Sequence, residues 1–235
     1  MWLDVARAGS PIGVSPMFRS RVRLTCLTFT LALVAAAGSG VGAIKIIAVS
    51  PVEIPDGLAD PQPARALFDS LIAAELMRAG LTVVPAHEAD VIWKRLVDSV
   101  QGFYSALTGE LVETKYRAVM TGTPRELRDR FQVDAWLRPE VELLSVDFEG
   151  GKARWDGTSE GMGSGSSGSA PALSLVVSVL DAAGTEIYAG RGGIQVVRKG
   201  SKEVSRDKLF KDSKRNLQAV HLAIDSLLAR VRVSQ

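Results

Sequence analysis

The chain has 235 residues, 46% of them hydrophobic and 23% charged, with 22 glycines and 10 prolines. That is globular composition, and it excludes a wholly disordered or collagen-like chain. One cysteine excludes a disulfide framework or a multi-thiolate zinc site, and two histidines leave little for a histidine-rich metal centre. A formal net charge of +2 is too small to point to nucleic acid.

Before residue 44 the bases are Arg7, Arg19, Arg21 and Arg23, against one acid, Asp4. From Met17 a basic start leads into an apolar run, Leu24 to Ala37, and then into the small residues 38–43. These are the three parts of a secretory signal peptide. Val41 and Ala43 suit the third and first positions before the cut, so cleavage is expected after Ala43. The competing reading is an uncleaved membrane anchor. The run of roughly 14 residues is shorter than the roughly 20 of a span, and Lys45 blocks its extension. Residues 1–16, with Asp4, Pro11 and Pro16, fit no part of a signal, which makes Met17 the expected start. Cys26 stands ahead of the apolar run, where a lipoprotein signal would place it behind. The mature chain is then free of cysteine, which suits an oxidising compartment. The expected location is periplasmic or secreted, with no transmembrane span in the mature chain.

Residues 44–49 are β-branched and apolar, as in a buried strand. Prolines 51, 55, 61 and 63 mark a loop. Leu67, Phe68, Leu71, Ile72 and Leu76 recur at helical steps over 64–79, and Gly80 is the expected stop. Residues 81–84 form a second strand, giving a strand–helix–strand opening with parallel strands. A helix is expected over 88–100, an irregular aromatic-bearing stretch over 101–122, and a short helix from the Thr123-Pro124 start to Phe131. Val133, Ala135, Leu137, Val141 and Leu143 alternate. The phase then moves to Leu144, Val146 and Phe148, which predicts a bulge near Leu143. A turn at 149–152 leads into a return strand over 153–156. The glycine- and serine-rich segment 157–170 reads as a flexible loop. A hairpin over 173–180 and 186–197 and a closing helix over 206–231 complete the chain. The expectation is a single α/β domain, 44–235, with a mixed sheet of about five strands packed by amphipathic helices.

Residues that resemble chemical motifs have plainer explanations. Gly163, Gly165 and Gly168 match a dinucleotide-binding spacing, yet no buried strand precedes them and no helix follows. His87, Glu88 and Asp90 sit where a strand feeds a helix, as capping groups do, and His221 flanks the core face of the last helix. Glu140 with Glu142, and Asp147 with Glu149, alternate as on a solvent face. The basic residues between Lys199 and Arg215 are interleaved with Glu203, Asp207 and Asp212, as on a solvated surface. No catalytic, cofactor-binding or metal-binding residue is assigned. Phe103, Tyr104 and Leu107, set between Gly102 and Gly109, are the candidate partner-binding residues. Aromatic groups bury large area with few rotors to freeze.

The element order resembles a group of small periplasmic domains. The group comprises the amino-terminal domain of the Tol translocation protein, the lipoprotein activators of penicillin-binding proteins and the curli-secretion lipoprotein. The residues that carry it are Ile46-Ile47-Ala48-Val49-Ser50-Pro51, the helix over 64–79 ending in Gly80, Val133-Asp134-Ala135, and Leu217 to Leu228. It spans most of the mature chain as a pattern, and the missing lipoprotein cysteine departs from the lipoprotein members. The resemblance implies a non-catalytic role in envelope assembly and transfers no functional residue. The expected function is an exported, non-enzymatic accessory or binding module acting through an envelope protein, with no nucleic acid and no cofactor. The alternative is a small periplasmic hydrolase or carbohydrate-active enzyme.

Overall fold

A computed structural model describes residues 44–233, except 56, 59, 164, 200, 201, 206 and 207. The expected export signal, with Cys26 and the cut after Ala43, lies outside the described residues, which all belong to the unit Ser39–Gln235.

β1 (Ile46–Val49) leads through α1 (Pro61–Arg78) to β2 (Thr82–Val84), and β1 and β2 pair in parallel. Asp60 caps α1 by accepting from the Gln62 N–H at 3.2 Å. At the other end Gly80 takes φ +88°, and the Gly80 and Leu81 N–H groups donate back to Met77 and Leu76. This is the left-handed stop expected there. α2 (Ala86–Ser99) begins two residues ahead of its expected start.

α3 (Glu113–Phe131) departs from expectation, since Thr123-Pro124 lies inside it rather than at its start. A Thr-Pro pair carries the signature of a helix start, but one proline removes only one N–H. Packing decides here: Val119, Thr123, Pro124 and Leu127 form a single buried face. The Thr123 hydroxyl donates to the Val119 carbonyl at 2.9 Å.

Among the described residues the sheet has seven strands, in place of the five or so expected. β3 (Ala135–Glu149) pairs in parallel with β1 at its start, and Asp134 holds that junction by accepting from the Lys45 and Ile46 N–H groups. β4 (Lys152–Trp155) and β5 (Thr158–Gly161) follow as hairpins, and β6 (Gly168–Asp181) pairs with β3 and with β7 (Glu186–Val196). β5 and the first residues of β6 lie within the stretch expected as a loop, leaving 162–167 between strands. Asp156 and Gly157, at φ +39° and +75°, make the two-residue turn into β5. Asp-Gly is a strong hairpin signal. β8 (Arg198–Lys199) and β9 (Lys202–Glu203) form a separate ribbon, and α4 (Ser213–Val233) ends the fold.

The expected bulge near Leu143 is absent, because β3 and β6 pair without a register shift from Ala135↔Asp181 to Phe148↔Gly168. The change of phase is a change of cover. α1 and α4 bury Ile47, Val49, Leu137, Val141, Leu175 and Val177 on one face of the sheet. On the other face α2 and α3 cover Ala48 and Trp136 at one end, while β4 and β5 cover Val146, Ala170 and Ala172 at the far end. The apolar residues of β3 switch sides where its cover does.

Candidate functional site

Ser50 to Glu53 leave the carboxyl end of β1, and side chains of α1 hold them. The Val52 N–H donates to Asp69 Oδ1 at 2.8 Å, and the Val52 carbonyl accepts from Arg65 Nε at 3.0 Å. Burial raises the Asp69 carboxyl above its ordinary pKa, and the Val52 bond and Arg65 offset this only in part. α1 packs on one face of the sheet and α2 on the other, so the chain parts at the end of β1. In open α/β sheets such a switch point is where ligand crevices form. Here it opens a cavity of about 610 Å³, lined by Glu53, Gln62, Asp90, Trp93, Lys94 and Asp98 among others.

One wall is aromatic. Trp136 is buried, and its Nε1–H donates to Ser50 Oγ at 2.8 Å. Trp93 lies 5.7 Å from Trp136 between ring centroids, and the Arg138 guanidinium sits 5.4 and 5.3 Å from the two rings. Half-buried Trp93 also meets Phe103 at 5.6 Å, and Phe103 meets Tyr116 at 5.4 Å. The stack links the crevice to the segment between α2 and α3.

That segment is tightly bonded. Val112 N–H donates to the Phe103 carbonyl at 2.7 Å, Ser105 N–H to Glu110 at 2.8 Å, and Gly109 N–H to Ser105 at 2.9 Å. Gln101, Gly102 and Gly109 take positive φ at its bends. The three candidate partner-binding residues therefore separate. Phe103 points inward as a packing residue, while Tyr104 is 65% and Leu107 98% exposed.

The other residues weighed from sequence occupy quieter places. His87 lies on the crevice rim with its Nε2 3.2 Å from Glu88, and His221 on α4 lies 3.3 Å from Glu75 on α1. Glu140 and Glu142 are half-buried on β3, and Glu142 pairs with Arg191 at 2.6 Å. Arg191 also meets Asp156, which accepts from Ser174 Oγ. Burial raises the Glu140 carboxyl above its ordinary pKa, and neighbouring Glu142 and Glu53 add to the rise. In the basic stretch Arg215 pairs with Glu160 at 2.9 Å, while Arg206 and the side chains of Lys199 and Lys202 lie outside what is described. Among the described residues no three His, Cys, Asp or Glu side chains converge to hold a metal. Nor is any helix there long and apolar enough to cross a membrane.

The crevice is the feature that sequence reasoning missed. Its one legible trace is on α2, where Asp90, Trp93, Lys94, Val97 and Asp98 recur at helical spacing with polar and aromatic residues mixed.

No protein-family model matches the chain, and no curated protein matches it. Among solved structures, lipoprotein GNA1162 from Neisseria meningitidis aligns at 21% identity over 68% of this chain and 88% of its own, with TM-score 0.34. Hypothetical protein CT253 from Chlamydia trachomatis aligns at 14% identity over 81% of this chain and 96% of its own, with TM-score 0.36. Scores of this size carry no inference about this chain.

Proposed function

We propose that this chain is a non-enzymatic binding module exported to the bacterial cell envelope, where it acts by contact with another envelope protein. The observation that carries the reading is the loop between α2 and α3. It is braced by backbone bonds and by the Phe103 ring, yet it turns Tyr104 and Leu107 to solvent. Burying these side chains against a partner removes their apolar area from water at about 25 cal/mol per Å². A loop already braced loses little further freedom on binding. The signal-like segment 17–43 and the resemblance to small periplasmic domains support the location.

The test compares three variants. Tyr104→Ala and Leu107→Asp lower in-cell capture of the partner and leave Tm within about 1–2 °C, since neither side chain packs. Phe103→Ala lowers Tm by several degrees, because it removes the ring that braces the loop. Full capture by both outer variants contradicts the proposal.

A further inference from the structure

We propose that the crevice at the end of β1 takes a cationic side chain, lysine or arginine, from an extended segment of a partner protein. The inference rests on the binding-module reading above and adds a second contact beside the Tyr104 loop.

The cavity of about 610 Å³ falls within the size range of specific ligand sites and is ample for one long side chain with its flanking backbone. Its wall is suited to a cation. The rings of Trp93 and Trp136 already hold the guanidinium of Arg138, so the surface stabilises that chemistry within the chain itself. Partly exposed Trp93 offers its indole to an apolar stem.

The charges select the sign. Lys94 is paired with Asp90 at 2.6 Å, and Arg65 is turned to the Val52 carbonyl beside Asp69. Arg138 lies over both rings and against Met120, and its charge acts on the Glu140 carboxyl. Glu53 and Asp98 remain, and their side chains have no hydrogen-bond or ion-pair partner among the described residues. The start of α1 offers little to an anion, because Pro61 and Pro63 lack N–H groups and Asp60 occupies that of Gln62. The Phe103–Trp93 contact places the crevice next to the exposed loop, so one partner can reach both.

The experiment titrates the purified mature chain with a doubly capped Ala-Arg-Ala peptide and follows the indole N–H signal of Trp93 by NMR, assigned through Trp93→Phe. Spermidine and a capped Ala-Glu-Ala peptide run in parallel. The expected result is a saturable shift with the arginine peptide and none with the glutamate peptide. Glu53→Gln and Asp98→Asn each weaken binding about two- to fivefold, the scale of a solvent-accessible ion pair. A shift with spermidine alone overturns the partner side chain in favour of a free polyamine. No saturable shift with the arginine peptide, or equal shifts with both peptides, overturns the inference. So does binding that neither variant weakens. Partner capture through Tyr104 and Leu107 is measured separately, so it can stand when the crevice fails.

Discussion

Glu75, 7% exposed, lies between α1 and α4, where its carboxyl meets Arg78 on its own helix and His221 Nε2 at 3.3 Å on the other. Burial alone would raise its pKa. The bonds from Arg78 and His221 outweigh that and hold the carboxyl below its ordinary 4.5. A group depressed on folding stabilises the fold at pH above its unfolded value, and the contribution is lost as pH falls through the folded value. Glu75→Gln therefore lowers Tm at neutral pH, and its Tm converges with that of the unaltered protein as pH drops below 4.5. A constant difference across that range contradicts the assignment. Glu140 has the opposite sign. Its carboxyl is raised by burial, Glu142 and Glu53, so ionisation costs stability above the ordinary value, and Glu140→Gln raises Tm at pH 7. An unchanged or lowered Tm in thermal melts would count against that.

At the scale of elements, β7 and α4 approach backbone to backbone. A Cβ on Gly190 would lie 2.0 Å from the Ala223 carbonyl oxygen, and one on Gly192 would lie 2.0 Å from that of Ala219. Two glycines two apart on a strand meet two alanines four apart on a helix, each spacing presenting one face. Gly192→Ala forces the helix outward and costs about 1–3 kcal/mol, a fall of several degrees in Tm. Gly161→Ala, with nothing within 4 Å of the added carbon, is the near-neutral control. Equal melting of the two variants sinks the close-contact account. These glycines show why sequence reading stopped where it did. Alternation located β7, but no local pattern reveals which helix will cover a strand. The opening strand–helix–strand, its Gly80 stop and the β6–β7 hairpin are legible, because each rests on residues adjacent in the chain. α3 was not, since Thr123-Pro124 carries a start signal that the buried face around Val119 and Leu127 overrides. The phase shift in β3 is legible in the sequence but its cause is not, because the change of cover comes from β4 and β5. Asp156-Gly157 was a readable turn lost in a glycine-rich stretch.

For the whole molecule, the candidate site divides in the same way. The exposed aromatic loop was legible, because Gly102 and Gly109 bracket it and no helical or strand period claims its apolar residues. The crevice was not, because it is assembled from β1, α1, α2 and β3, which come together only once the order β2-β1-β3 is known. The proposed export also carries a prediction: protein recovered from the cell envelope should begin at Ile44, and intact chain from Met1 or Met17 held in the inner membrane would refute export with cleavage. The most direct test of the binding-module reading places a photoreactive residue at Leu107 in living cells. The account predicts a discrete adduct with one envelope protein, lost on adding Tyr104→Ala and absent when the photoreactive residue is at exposed Arg154 instead. No adduct at Leu107, or the same adducts from both positions, would contradict it.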